Sequence, residues 1–348
     1  MSPYVLMILL SSLGLGTTLT FMSSHWLLAW MGLEINTLAI LPLMAQNHHP
    51  RSTEATTKYF LAQAAAAATI LFASTINAWT TGEWDINYLT HPVAATLVMM
   101  ALALKVGLAP VHFWMPPVMQ GLDLTTGLIM ATWQKLAPFA LIIQMAPIAN
   151  PQLLTTLALL SVFIGGWGGL NQTQLRKILA YSSIAHLGWM IVIVQFKPQL
   201  TILALTIYII MTSATFLTFK FLSTTKINTL ATNWAKMPII TTITALVLLS
   251  LGGLPPLTGF MPKWLILQEL TTQNLPLTAT MMALSALLSL YFYLRLCYSM
   301  TLTISPNTNN SLTPWRLQNM QNTMPMNILM TMTLLLLPLT PLAQAMIN

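Results

Sequence analysis

The sequence contains one pattern twice: GLAPVHFWMP at residues 107–116 and GLPPLTGFMP at residues 253–262. Gly, Leu, Pro, Met and Pro coincide at identical spacing in the two stretches. Each stretch lies inside a long apolar run, so its glycines and prolines predict a helix that is interrupted within the membrane. Irregular backbone at that depth is tolerated only against protein or a water-filled cavity, which indicates a transport pathway. Chance similarity in so biased a composition is the alternative.

The composition around these stretches is that of an integral membrane protein. The 348 residues are 56% apolar and 5% charged, against roughly 25% charged residues in a typical soluble protein. The one cysteine, Cys297, excludes a disulfide framework, an iron–sulfur cluster held by this chain alone and a CxxC metal site. No dinucleotide fingerprint or P-loop is present, and the glycine-rich run at 165–169 is better explained by helix packing or a helix end.

Apolar runs of about 20 residues are long enough to cross a bilayer as helices. We therefore predict an all-α polytopic membrane protein with about eleven transmembrane helices and one long polar loop at 305–322. The predicted spans are 3–23, 25–44, 59–80, 93–115, 124–146, 151–170, 175–195, 199–222, 238–266, 274–296 and 324–346.

The two matching stretches also predict an internal repeat. They lie in the fourth and ninth spans, and an odd offset of five helices reverses the direction in which a segment crosses the membrane. This relation predicts two inverted five-helix repeats with broken helices, an antiporter-like arrangement. The expected domains are 1–147 for the first repeat, 148–300 for the second, and 301–348 for the polar loop and the last helix.

Basic residues in the loops predict the orientation. Loops after odd-numbered spans hold only Lys197. Loops after even-numbered spans, with their bordering residues, hold nine: Arg51, Lys58, Arg176, Lys177, Lys220, Lys226, Lys236, Arg295 and Arg316. The N-terminus is therefore expected on the positive side, matrix or cytoplasm, and the C-terminus on the other. Because the basic residues are spread over loops, a nucleic-acid partner is not expected.

Four charged residues remain deep inside predicted spans: Glu34, Lys105, Lys135 and Lys263. A charge at the bilayer centre costs about 2.5–3.5 kcal/mol even on insertion scales, and such residues usually mark ion pathways or proton relays. Glu34 is the only acid in this set, which suggests that it meets Lys105. The structural alternatives are a static Glu34–Lys105 salt bridge, a Lys135 near a helix end and a Lys263 that extends to an interface.

Lysine and glutamate suit proton transfer when their surroundings change. Burial disfavours the charged form of either residue type, and a neighbouring opposite charge favours it. A Glu–Lys pair at ~4 Å and an effective dielectric of 20 interacts by about 4 kcal/mol. Forming or breaking such a pair can shift a lysine pKa by about 3 units, so moving one carboxylate is a sufficient switch.

Two histidines extend the set. His186 follows Ser182 and Ser183 at helical spacing, and His112 lies inside the first broken stretch. Imidazole exchanges protons near neutral pH, although an interhelical hydrogen bond would explain His186 equally well. No histidines and carboxylates share ligand-like spacing on one helix, so no metal site is expected.

The motifs resemble a known family. GGLNQTQLRKILAYSSIAH at 168–186, with the segments around 108–110 and 254–260, closely resembles the antiporter-like subunits of proton-pumping NADH:ubiquinone oxidoreductase, respiratory complex I. The resemblance covers essentially the whole chain and is nearest to the animal mitochondrial form, with eleven helices where bacterial relatives have fourteen. It implies a membrane-arm subunit of an enzyme whose FMN, iron–sulfur clusters and ubiquinone are bound by other subunits.

The resemblance also implies roles for the six residues. Glu34 and Lys105 correspond to the glutamate–lysine pair of the first half-channel, and Lys135 to the lysine that bridges towards the second half. Lys263 resembles the distal lysine of a central hydrophilic axis. His112 and His186 resemble secondary members of that axis. Many relatives carry glutamate where this chain has Pro117, which argues against an obligatory role for that position.

Further expectations follow from the resemblance. The partners would be other membrane-arm subunits, including neighbouring antiporter-like chains, and membrane lipids such as cardiolipin. The location would be the mitochondrial inner membrane, with the N-terminus in the matrix and the C-terminus in the intermembrane space. A free-standing cation/proton antiporter and a structural spacer subunit are the alternative functions.

Overall fold

The computed structural model describes residues 2–46, 48–235, 237–302 and 323–347. Among these residues the regular structure is helical and no strand is present, which confirms the all-α prediction. The predicted polar loop at 305–322, with Arg316, and also Lys236 lie outside the described residues. In chain order the helices are α1 Pro3–Met22, α2 Trp26–Met44, α3 Pro50–Thr81, α4 Pro92–Val106, α5 Met115–Gly121, α6 Leu124–Ala131, α7 Trp133–Met145, α8 Pro151–Gly169, α9 Leu175–Ile193, α10 Pro198–Phe221, α11 Ile227–Thr232, α12 Pro238–Gly252, α13 Phe260–Thr272, α14 Pro276–Thr301, α15 Met324–Leu335 and α16 Thr340–Ile347.

Proline and histidine define many helix starts. Proline stands first in seven of the described helices, where its missing N–H is not needed and its fixed φ suits the helix. His25, His49 and His91 precede α2, α3 and α4, and each accepts a backbone N–H of the first turn through Nδ1. These three histidines therefore have a capping role.

Seven helical segments of the described chain are long and apolar enough to span a membrane. They are Pro3–Met22, Trp26–Met44, Pro50–Thr81, Leu124–Met145, Pro151–Gly169, Pro198–Phe221 and Pro276–Thr301. Three shorter apolar helices, α4, α12 and α15, belong to predicted spans that the structure interrupts. The structure thus supports a multi-pass membrane protein without fixing the count at eleven.

Two interruptions were not predicted. The candidate span Leu124–Met145 is irregular at Thr132, where α6 gives way to α7. The Lys135 N–H donates to the Thr132 carbonyl three residues earlier, which tightens the first turn of α7. The C-terminal span also breaks, because α15 ends at Leu335 and Pro338 lies in a 3-10 turn. Proline lacks the N–H and clashes with the carbonyl four residues earlier, so a continuous helix over 324–346 is not formed.

The described chain forms two compact units. The first comprises Met1–Ser161 with Val194–Pro198, and the second comprises Val162–Ile193 with Gln199–Asn348. Each unit contains one of the two interrupted helices that the repeated sequence predicts.

The first interruption separates α4 from α5. Gly107 ends α4 with φ +88°, the left-handed conformation that glycine adopts readily at a helix C-terminus. The carbonyl of Leu104 accepts the indole N–H of Trp114 at 3.0 Å, and the carbonyl of Lys105 accepts the amide of Gln63 at 3.3 Å. These side chains satisfy backbone groups that a break within a membrane leaves without helical partners.

The second interruption separates α12 from α13. Gly253 ends α12 with φ +80°, and the Lys263 ammonium donates to the Gly252 carbonyl at 2.7 Å. A cation at this end of a helix also interacts favourably with the helix dipole. Lys263 is therefore held at the break by its own hydrogen bond. The prediction that both repeated stretches interrupt a helix is confirmed.

Glycines on α8 allow close helix packing in the second unit. A Cβ at Gly165 would lie 2.7 Å from the Ala185 backbone nitrogen of α9, and one at Gly166 would lie 2.8 Å from the Leu288 Cβ of α14. A Cβ at Gly169 would lie 2.7 Å from the ring of Phe292. The glycine-rich run at 165–169 is thus a packing feature, as the sequence indicated.

Gly165→Ala is expected to destabilise the second unit by about 1–3 kcal/mol, because the added methyl meets backbone that cannot move without shifting α9. The measurement is the thermal midpoint and yield of the purified assembly. Gly14→Ala is the matched control, since a Cβ at that helical position meets nothing within 4 Å. Equal losses in the two variants would contradict the packing role.

Candidate functional site

A small polar cavity lies in the first unit. Its volume is about 20 Å³, and roughly 10–15 Å³ of such volume is enough for one water molecule. The polar side chains that line it come from α2, α3, α4 and α7: Asn36, Thr37, Tyr59, Gln63, Lys105, Gln134 and Lys135. A water molecule in this cavity can therefore contact both lysines within an otherwise apolar helix bundle.

Both lysines of this cavity were predicted site residues. Lys105 is 5% exposed and Lys135 is 4% exposed. Lys105 occupies the last turn of α4, where the helix dipole favours a cation. Within the described part of the chain its ammonium has no hydrogen-bond partner. Two buried ammonium groups on one cavity are costly in a low dielectric, which is typical of groups whose charge changes during function.

Glu34 is half-buried on α2 and does not line the cavity. Its carboxylate accepts the Thr37 hydroxyl at 3.0 Å. Glu34 forms no ion pair with Lys105 within 4.0 Å, so the structure does not show the direct contact that was expected between the two.

Neutral polar residues complete the cavity, and the sequence reasoning overlooked them because it followed charges. Asn36 is 2% exposed, and neither its amide nitrogen nor its amide oxygen has a partner among the described residues. The Gln134 side-chain amide donates to the main-chain carbonyl of Asn36 at 3.3 Å. Asparagine and glutamine inside apolar spans are the signal that would have found this set.

His112 is buried in the turn between α4 and α5, where its ring lies 4.6 Å from that of Phe113. Its Nδ1 has no hydrogen-bond partner in the described ranges. The side chain does not line the cavity of Lys105 and Lys135. The structure therefore places His112 in the same interrupted segment as that cavity but not within it.

The remaining two predicted residues lie in the second unit. His186 is half-buried on α9, and its ring lies 5.6 Å from that of Tyr208 on α10. Lys263 lies in the first turn of α13, bonded to the Gly252 carbonyl. Tyr208 therefore packs beside His186, and the Gly252 carbonyl holds Lys263 at the break.

A buried acid in this unit was missed. Glu269 is 7% exposed on α13, and its carboxylate accepts the Gln273 amide at 3.0 Å. The predicted span ended at residue 266, whereas α13 continues to Thr272. Glu269 thus lies beyond the predicted span, near the C-terminal end of α13, and was not among the predicted site residues.

The site offers proton donors and acceptors: ammonium, carboxylate, imidazole, phenol and amide groups. In the part of the chain that the structure describes, no three His, Cys, Asp or Glu side chains form a group that could hold a metal ion. Cys297 is buried and its thiol donates to the Ala245 carbonyl at 3.5 Å.

The spans, the interrupted helices and the buried lysines define a multi-pass α-helical membrane protein of the antiporter-like class. Residues 23–289 match the family described as NADH:quinone oxidoreductase/Mrp antiporter, transmembrane region, and residues 290–344 match NADH dehydrogenase subunit 2 C-terminus. The chain is 74% identical over 346 residues to NADH-ubiquinone oxidoreductase chain 2 of Formosania lacustris, covering 99% of each. It is 70% identical over 341 residues to the same protein of Danio rerio, covering 98% of each.

The chain belongs to the NADH-ubiquinone oxidoreductase chain 2 family. Membership makes it a membrane subunit of the respiratory complex I class.

Solved structures agree in fold. A chain of respiratory complex I from Thermus thermophilus with bound aureothin superposes with a TM-score of 0.82 at 28% identity, covering 97% of this chain and 80% of that one. The Mrp complex from Dietzia sp. gives a TM-score of 0.83 at 16% identity, covering 97% and 76%, and supports the fold alone.

Proposed function

We propose that this chain moves protons across the membrane as an antiporter-like subunit of NADH:ubiquinone oxidoreductase, driven by quinone reduction in other subunits. The observation that carries the proposal is the cavity on which Lys105 and Lys135 both open. Family membership supports the same role, because the relatives are named for this enzyme.

The first half of the path uses Glu34, Lys105 and Lys135. A proton leaves one ammonium group, passes through a water in the cavity and binds the other amine, so that the two lysines do not carry charge at once. The Glu34 carboxylate stabilises a positive charge on Lys105. The hydroxyl of Tyr59 is also within electrostatic range of Glu34. An approach of Glu34 to ~4 Å would strengthen this attraction to about 4 kcal/mol at an effective dielectric of 20.

The second half uses Lys263, with His186 as a secondary relay, and His112 is a secondary relay at the first break. Lys263 sits where α12 is interrupted, and a broken helix near the middle of a membrane is a typical position for an ion site. The hydrogen bond from Lys263 to the Gly252 carbonyl keeps the ammonium at that position.

The architecture we propose has eleven crossings in two inverted five-helix repeats, residues 1–147 and 148–300, followed by 301–348. The shared local form of the two breaks supports it: each has a left-handed glycine, then a turn, then a second helix. The distribution of lysine and arginine supports an N-terminus in the matrix and a C-terminus in the intermembrane space.

The setting we propose is the mitochondrial inner membrane, as for the animal relatives. This chain supplies the proton path, and other subunits hold FMN, the iron–sulfur clusters and ubiquinone. Its partners are the other membrane-arm subunits, including neighbouring antiporter-like chains, together with lipids such as cardiolipin.

Lys105→Met tests this function. We expect the assembled enzyme to lose coupled turnover by about a hundredfold, the typical contribution of one positioned proton-transfer group. NADH oxidation and proton release are measured together, with assembly checked on a native gel. Lys220→Met is the control, because Lys220 is exposed at the end of α10.

Unchanged pumping in Lys105→Met would leave the chain as a structural spacer. Recovery of proton/cation exchange from a chain that is not bound to an NADH-oxidising assembly would instead support a free-standing antiporter.

A further inference from the structure

The second unit contains a group of buried hydroxyls that the predicted site does not include. Tyr208 on α10 and Tyr293 on α14 are each 1% exposed, and Ser182 and Ser183 on α9 are equally buried. The two serine hydroxyls donate to the Leu179 and Ala180 carbonyls of their own helix, at 2.8 and 2.7 Å. We call these four residues the hydroxyl cluster.

One end of the hydroxyl cluster meets His186. The Tyr208 ring lies 5.6 Å from the imidazole, at an interplanar angle of 45°. The Tyr208 hydroxyl is hydrogen-bonded to the Ser183 side chain. Tyr208 thus connects the histidine with the serine pair, of which Ser182 lies near Tyr293.

The other end of the hydroxyl cluster approaches Lys263. The Tyr293 ring lies against α12, where a Cβ at Gly252 would be 3.7 Å from its Cδ2. The carbonyl of that same Gly252 accepts the Lys263 ammonium at 2.7 Å. Tyr293 therefore packs beside the backbone group that holds the lysine.

The hydroxyl of Tyr293 is not explained by packing. It lies near Ser182, yet it has no partner of hydrogen-bonding geometry in the described chain. Burying an unpaired hydroxyl is unfavourable, and phenylalanine would fill the same space without that penalty.

We propose that Tyr208 and Tyr293 relay protons between His186 and Lys263. In each transfer a tyrosine oxygen accepts a proton through a lone pair and releases its own hydroxyl proton to the next group. One O–H bond forms as one breaks, so each tyrosine ends unchanged and no oxidant or reductant is needed. The relay rests on the proposed function, because it supplies the second half of that proton path.

The test is Tyr208→Phe and Tyr293→Phe in the assembled enzyme, with protons pumped and NADH oxidised both measured per amount of assembled enzyme. We expect each variant to lower coupled pumping by about a hundredfold, since each removes one positioned proton-transfer group and keeps the ring. Tyr291→Phe is the matched control, because Tyr291 lies on the same helix and is 59% exposed.

A purely structural role would reduce the amount of assembled enzyme and leave coupled pumping per assembled enzyme unchanged, which would overturn the relay. Ser183→Ala is a second test that leaves the Tyr208 and Tyr293 rings unchanged, and lower coupled pumping per assembled enzyme is again expected.

Lys263→Met separates this proposal from the proposed function. Normal pumping in both tyrosine variants with a loss in Lys263→Met would overturn the relay and leave the function standing. Normal pumping in all three variants would overturn both.

Discussion

Gly259→Ala is expected to prevent the second unit from folding. Gly259 immediately precedes α13, and a Cβ built there would lie 1.7 Å from the Ser250 carbonyl oxygen. This oxygen belongs to the backbone of α12, so it cannot rotate away as a side chain would. The two parts of the interrupted helix touch through glycine because no larger residue fits between them.

The expected destabilisation is at least about 4 kcal/mol, which is exceptional for a single methyl and reflects a clash with fixed backbone. Native gels should show loss of the assembled enzyme. Gly252→Ala is the matched control, since its Cβ would come no closer than 3.3 Å, to the flexible Leu290 side chain. Normal assembly of Gly259→Ala would show that the contact between the halves of this helix is not required.

Lys135→Met is expected to abolish coupled proton pumping while the enzyme still assembles. Methionine is unbranched and fills the space of the lysine stem, so packing around α7 is retained. The change removes one of the two ammonium groups on the cavity, and a proton on Lys105 then has no amine to receive it. The loss should be about a hundredfold or more in coupled turnover.

Lys220→Met is again the control, because it removes a positive charge from an exposed position. Measuring turnover with and without an uncoupler separates a block in proton movement from a general loss of activity.

The sequence predicted the interrupted helices because their causes are local. A left-handed glycine and nearby prolines determine where α4 and α12 end, and these residues are visible in any reading of 107–116 and 253–262. The all-α membrane fold was predicted just as directly, because long apolar runs indicate membrane-spanning helices. The irregularity at Thr132 has no such residue at the break itself, and it was not anticipated.

The site was predicted in part. Charged residues in apolar spans are conspicuous, so Lys105 and Lys135 were found, and the structure brings both to one cavity. Neutral polar groups such as Asn36 and Tyr59 carry no comparable signal, because their positions matter only after several helices pack together. The distance from Glu34 to Lys105 likewise depends on the packing of α2 against other helices.

The second unit shows the same limit. His186 and its two serines formed a visible polar stripe, whereas Tyr208 and Tyr293 are separated from them by long stretches of chain. Their proximity arises from the packing of α9, α10 and α14. Glu269 was missed for a simpler reason, since its helix continues beyond the most apolar residues.

The most direct measurement is the number of protons pumped per NADH oxidised by the assembled enzyme carrying Lys135→Met, beside the unchanged enzyme. We predict normal assembly with a lower ratio or with coupled turnover reduced to a small fraction, because the proton path between Lys105 and Lys135 is interrupted. Normal assembly with an unchanged ratio and unchanged turnover would contradict proton transfer through this cavity.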